Sequence, residues 1–493
     1  MSSNILELFP APSSAASSLT PVFLPGADAD STLAMQRVLR DNHDKWHIFF
    51  NDRGFHNHIA HHVLAIWTLG ASREIIEAVY RENTPAQKPA IKPPGPISSA
   101  NFNAHLGDGK YFGAYMTFFK EKISEHGSAS VLEEFIFSES ANVDVRTKGN
   151  QQPGMLNRFM DGLIHPLIHT AYGLEFGLPG IVIEGLAQAA VHHDNLQNLL
   201  PYSALTSAAA IDARAEDASS LETPHIPNGK KGTHAFDVLA RILKDDALRI
   251  PLVNDEIANY KTTISATGEA LFRYSNQWTL NLSNPKELRR KIEELQWMNT
   301  IIYAGSGSRP GKRFHADFFL MHLVTSSLFL PSLANFLSIT SQALLLRSYM
   351  AVSFAWWISR GRPSIDIPKF LESHNYNESV RPDSSSSTTT PQGDLSSTPN
   401  PWFAIIQQAL FHQDDHLCKM QRALAYFAAL YGTRVGGLPD FSQTELPGAE
   451  KLDGAFFLRA AQLTAKHFEL CRGKVGTAEL PLWDHHRLPE DHV

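Results

Sequence analysis

Cysteine is nearly absent: the 493 residues hold two, Cys418 and Cys471. That excludes a disulfide framework and suits a reducing compartment, so a cytoplasmic location is expected. A basic excess is missing as well. Lys and Arg total 43 against 50 Asp and Glu, a formal net charge of −7, which argues against a nucleic-acid partner. The N-terminus has no basic segment ahead of an apolar run, so no secretory leader is expected. One stretch, residues 318–339, is uncharged and apolar over the length of a membrane span. It contains His322, Pro331 and Asn335, costly groups in lipid, and reads as a helix buried in protein, so no stable membrane insertion is expected.

Several motifs of catalysis are absent or fail. There is no GxSxG elbow and no CxxC pair. The glycine-rich stretch from Gly305 to Lys312 has five residues between Gly305 and Gly311 where a phosphate loop needs four, and Arg313 stands where a magnesium-binding Ser or Thr belongs. It also lacks the GxGxxG spacing and the βαβ surroundings of a dinucleotide fold. His315-Ala316-Asp317 matches half of a facial-triad iron site, yet that motif belongs in a β jelly roll and this region reads as helix. Asp317 is expected to cap a helix or hydrogen-bond in the core.

Strand-like alternation is scarce, and apolar residues recur at spacings of three and four. Helices are predicted over 32–50, 59–69, 73–81, 110–124, 164–191, 286–302, 314–358 and 402–431. Asn284-Pro285 marks a helix start. The fold class is therefore mainly helical, all-α. One large domain is expected over residues 31–475, with a disordered tail at 1–30, a C-terminal tail at 476–493 and a low-complexity Ser/Thr insertion at 381–401. Residues 83–101, proline-rich around KPPGP, and 214–232 read as further loops.

What the chain has in abundance is histidine, 23 residues, in clusters beside strongly apolar residues. His56, His58, His61 and His62 lie in FHNHIAHHVLAIWTLGA; His165 and His169 in DGLIHPLIHTAYGLE; His315 and His322 in FHADFFLMHLVTSSLFLP; His412 and His416 in FHQDDHLCKMQRAL. Imidazole is the commonest ligand of catalytic metals, and a helical bundle builds a metal site from inward-facing residues of different helices. A single histidine on an apolar face is more often a hydrogen-bonded core residue. His58 and His62, like His165 and His169, are four apart and share a face, which leaves the choice within each pair open. HPLIH has Pro166 where a zinc protease needs its general-base glutamate, which argues against that class. His416 and Lys419 are three apart. Spacing alone pairs Lys419 with Asp415 as an ordinary ion pair; a desolvated lysine can instead take up carbon dioxide and become an anionic carbamate ligand.

Taken together, Asn57-His58 in its block, HPLIHTAYGLE, MHLVTSSLFLP and DDHLCKMQRAL resemble the questin oxidase family, over roughly His47 to Gly432. The resemblance implies an oxygenase of fungal secondary metabolism that opens a ring of an anthraquinone-type aromatic polyketide. It leaves open a Baeyer–Villiger-like monooxygenase with NADPH or a non-haem Fe(II) dioxygenase using O2. It further implies the metal ligands His58, His165, His322 and His416, with a carboxylated Lys419, and puts His62, His169 and His315 around them. Trp67, Tyr172, Phe318, Trp356 and Trp357 are aromatic residues suited to stacking on a flat substrate, and Arg360 or Arg362 to pairing with a phenolate. Core packing and helix-end capping are the plainer roles for each. Two other functions compete with this expectation: a metal-dependent hydrolase, which zinc in place of iron would reveal, and a non-catalytic helical scaffold, which would hold no stoichiometric metal.

Overall fold

Short polar side chains start most of the helices, because the first turn leaves backbone N–H groups without partners. Asp28 accepts from Ser31 and opens α1 (Ala29–Lys45) with a reciprocal capping box. Asn284 accepts from Lys286 ahead of Pro285 and opens α9 (Pro285–Gly307). Asp317 accepts from Phe319 and Leu320 and opens α10 (Phe318–Ser327). Asp414 accepts from His416 and Leu417 and opens α13 (Asp415–Tyr431).

In a computed structural model, residues 6–12, 21, 23–144, 152–202, 232–309, 311–372, 400–472 and 483–487 are described. The other helices of ten residues or more are α2 (Ile59–Thr68), α3 (Arg73–Asn83), α4 (Phe112–Leu132), α5 (His165–Phe176) and α6 (Pro179–Val191). Further along come α7 (Ala235–Lys244), α8 (Glu256–Gln277), α11 (Ile339–Ser359), α12 (Pro401–Phe411) and α14 (Ala455–Arg472). Among the described residues β structure is limited to isolated bridges, one of which, Phe49 with His56, closes the loop ahead of α2. The architecture is all-α, as the periodicity predicts.

The α5–α6 hairpin packs on α4, α8 on α11, and α9 on α10. α13 is the hub: it contacts α2, α10 and α14, and α2 also touches α5. Every residue of α2 and of α5 is buried. Such all-round burial is what helices without a polar face require. Four of the histidine-bearing helices thereby meet at the centre of one apolar core.

The periodic run over 164–191 is two helices, because Gly177 adopts a left-handed φ of 64° and Pro179 begins the next helix. The run over 314–358 likewise breaks after Ser327 and again before Ile339. No described helix is long and apolar enough to cross a membrane. α8 escaped the apolar pattern because its buried face carries Asn259, Thr263 and Thr267. Both threonine hydroxyls donate to carbonyls four residues back, so polar side chains are tolerated there. Within the stretch expected as a tail, Phe9 is buried, and its carbonyl accepts from Gln36 and Arg40. One anchoring ring is too short a signal for periodicity. The Ser/Thr insertion lies almost wholly outside the described residues, as does most of the C-terminal tail; Trp483, in that tail, is buried.

Candidate metal centre

The loop before α2 is bolted down by Asn57. Its amide donates to Asn42 Oδ1 (2.8 Å), its backbone N–H to the Ile48 carbonyl (2.7 Å), and its Oδ1 accepts from Ile59 N–H (3.0 Å). This fixes His58 as the residue that opens α2. On the facing chain Gly162, Leu163 and Ile164 run consecutively through positive φ, at 57°, 55° and 65°. Left-handed backbone is costly for leucine and more so for β-branched isoleucine, and it persists where a functional geometry demands it. The result is a tight turn that delivers His165 at the first position of α5, with Nδ1 2.7 Å from the Gly162 carbonyl.

His322, one turn into α10, donates from Nδ1 to the Phe318 carbonyl (2.7 Å). His416, in the first turn of α13, places Nδ1 3.1 Å from Asp415 Oδ1, while Asp415 Oδ2 lies 3.0 Å from His58 Nδ1. All four nominated histidines thus come together. Their rings form a closed circuit: centroids are 4.9 Å apart for His58–His165, 5.1 Å for His165–His322, 5.1 Å for His322–His416 and 4.9 Å for His416–His58.

An acceptor faces the Nδ1 of each ring. The Nε2 atoms of His58 and His165 face each other at 2.8 Å. Those of His322 and His416 are buried without a hydrogen-bond partner. Burial, followed by the neighbouring imidazoles, pushes the His165 and His322 pKa values well below the ordinary 6.5. Burial and the nearby Lys419 bring His58 down to about 3, against the pull of Asp415. Donor atoms lie within 4.8 Å of one another in two groups that share His58: His56, His58 and His165, and His58, Asp415 and His416; acceptors behind Nδ1 are the usual outer partners of metal-bound histidine.

Lys419 also meets Asp415, Nζ to Oδ2 at 2.5 Å, the pair its spacing suggests. Burial opposes the Asp415 charge, but His416, Lys419 and His58 together hold its carboxyl well below the usual carboxylate range. Sequence reasoning missed Asp415 as the orienter of two rings, although its position beside His416 was the available signal. It also missed a buried chain running outward: His61 Nε2 to His169 Nδ1 (3.0 Å), His169 Nε2 to Glu184 Oε2 (2.8 Å) and Glu184 Oε1 to His43 Nδ1 (2.6 Å). His56 stacks on His165 at 4.1 Å and meets His192 at 2.7 Å. His62 is buried with neither ring nitrogen partnered. His315 lies between Asp317 and Asp484, at 3.6 Å from each.

A small cavity adjoins the circuit, walled by His61, Tyr172, Thr325, Phe329 and Lys419 besides two of the ring histidines. It has room for about one water. Tyr172 stacks on His61 at 5.1 Å and packs on Phe329 at 4.5 Å. Phe318 stands edge-on to His322 and His416 and stacks on His485. Trp67 and Arg362 are not brought to the cavity. Trp67 packs against Phe23 and Phe176 and donates to Thr32. Arg362 donates to the carbonyls of Ile242 and Asp245. Arg360 is tied to Asp317 and Glu256. Trp356 stacks on Tyr260 at 3.7 Å.

The fold and the site thus define a helical protein with a buried polyhistidine centre. The chain belongs to the questin oxidase-like family, whose profile matches residues 55–424, and is an oxidoreductase. It is 29% identical over 419 residues to the Baeyer–Villiger monooxygenase AacuH of Aspergillus aculeatus, covering 82% of this chain and 80% of that one. It is similar to questin oxidase of Aspergillus terreus (27% over 403 residues, 79% of each chain) and of Aspergillus fumigatus (27% over 444 residues, 87% of each).

Proposed function

We propose that this chain is an iron-dependent oxygenase that opens a ring of a flat, hydroxylated aromatic polyketide of the anthraquinone type. The closed circuit of four Nδ1-anchored imidazoles carries this reading, supported by the names of the similar proteins. His58, His165, His322 and His416 would hold Fe(II) through Nε2. Lys419, released from Asp415 and carboxylated, would add an anionic oxygen. The metal would supply the binding and activation of dioxygen.

The remaining work falls to the chain itself. Asp415, the Gly162 carbonyl and the Phe318 carbonyl hold the Nδ1 protons and so keep the rings aimed inward. Tyr172 and Phe329 give the small cavity its apolar wall. His61, which lines the cavity, donates a hydrogen bond from Nε2 to His169 Nδ1. Burial of the centre in apolar core keeps bulk water from the reacting carbons.

Elemental analysis of the purified full-length protein tests the metal: about one iron per chain is expected from the single circuit of ligands. Zinc at that ratio would redirect the reading to hydrolysis, and no metal would make the histidines core residues. With iron present, hydroxyanthraquinones offered under labelled dioxygen fix the stoichiometry. Two labelled atoms in the product mark a dioxygenase; one atom with nicotinamide oxidation marks a monooxygenase.

A further inference from the structure

The cavity beside the histidine circuit is too small for a polycyclic molecule, since small-molecule sites usually run from ~300 Å³ upward. A second cavity, of about 400 Å³, opens to the surface between α9 and α13. Arg289, Glu293, Pro331, Tyr426, Tyr431 and Arg434 are among its walls. The two spaces share partitions on both sides. Along α13, Lys419 lines the inner cavity and Tyr426 the outer one. They are seven residues apart, so both lie on one helix face, about 10 Å apart along the axis. Across from them, Leu328 and Phe329 line the inner cavity and Pro331 the outer. Gln296, in the outer wall, donates to the carbonyl of Ser327, next to Leu328, and accepts from the Tyr431 hydroxyl.

Arg422 occupies the same face of α13 between Lys419 and Tyr426. It is ion-paired with Glu175, and both are buried. Its guanidinium lies over the rings of Tyr172 (5.6 Å), Phe176 (5.5 Å) and Phe329 (5.9 Å), two of which wall the inner cavity. The pair is incompletely satisfied: Arg422 Nη1 and Glu175 Oε2 are buried without hydrogen-bond partners. A buried donor left open in this way is an unusual cost unless something fills it.

We infer that the outer pocket is where a flat, hydroxylated polyaromatic substrate first binds, and that Arg422 is the partition it passes, its Nη1 receiving a phenolate or quinone oxygen on the way to the histidine circuit. This rests on the ring-opening reading for the identity of the ligand. Arg289 and Arg434 line the mouth together with Glu293; Arg434 is ion-paired there with Asp440 at 2.6 Å. Tyr426 and Tyr431 supply ring faces there.

The test uses the full chain, with a dihydroxyanthraquinone as the probe. Binding is followed by its absorbance shift on metal-free protein, and turnover on iron-loaded protein. Leu430→Trp fills the outer pocket from an exposed wall position, and Ile339→Trp, outside both cavities, serves as the control. Leu430→Trp is expected to weaken probe binding and lower kcat/KM by about tenfold or more, with iron content and Tm unchanged; the control changes neither. Arg422→Lys, which keeps the charge, should raise KM more than it lowers kcat. Unaltered binding and turnover in Leu430→Trp would overturn the inference while leaving the oxygenase reading standing. Binding sensitive to Leu430→Trp without any ring opening by the wild type would uphold the pocket and sink the oxygenase reading.

Discussion

Asp415 does with one carboxylate what the carbonyls of Gly162 and Phe318 do for His165 and His322: it holds an Nδ1 proton, and it does so for two rings at once. Asp415→Asn leaves a single acceptor oxygen for that task. It is expected to lower metal affinity by about 10–100-fold, the usual cost of losing an outer partner, as measured by competition with a chelating dye. His165→Ala and Lys419→Ala should each lose stoichiometric metal, whereas His56→Ala should retain it because His56 Nε2 is engaged with His192. Full occupancy in Lys419→Ala would exclude the carbamate. At this scale the sequence was informative about which histidines cluster, and less so about which ones point inward. His165 and His169 are four apart and share a face, so spacing could not separate them. What separates them is long-range: His169 faces Glu184, fifteen residues on and in another helix. The resemblance, rather than periodicity, selected His165.

Between helices, Glu184 on α6 ties His169 on α5 to His43 on α1. Burial would raise the Glu184 carboxyl, but hydrogen bonds from His169 and His43 outweigh it and hold the value down to about 2. Its contribution is therefore present above the ordinary 4.5 and lost as pH falls toward 2; at 1.36 kcal/mol per unit this is on the order of 3 kcal/mol. His43 shifts the other way: burial lowers it, yet Glu184 prevails and raises it. That contribution is full below 6.5 and disappears as pH rises through the elevated value. The linkage is strongest between about pH 4.5 and 6.5, and Glu184→Gln should flatten both limbs of a Tm-against-pH curve. The turn before α5 offers a second test. A Cβ on Gly162 would come 2.3 Å from the His192 ring, at a φ of 57°. Gly162→Ala is expected to cost about 1–3 kcal/mol in chemical denaturation and to loosen His165. Nothing in the local sequence announces three left-handed residues in a row, because two of them are Leu163 and Ile164, residues that favour other conformations.

For the whole molecule, the all-helical class followed from periodicity, since buried helices without a polar face still avoid strand-like alternation. α8 stayed hidden because its core face is threonine and asparagine, whose hydrogen bonds exist only once the helix does. Phe9 stayed hidden because a lone anchor has no period. The circuit itself could not be read from any one segment: His58 and His416 are brought together by the α2–α13 contact across more than half the chain. Its chemistry also bears on how the protein must be supplied. Imidazole nitrogens bind first-row divalent ions in the order in which copper and nickel exceed iron. Where several ions are offered together, such donors favour copper and nickel over iron. On the iron reading proposed above, occupancy would depend on assembly where copper is scarce, and contact with a nickel-charged resin would exchange the ion.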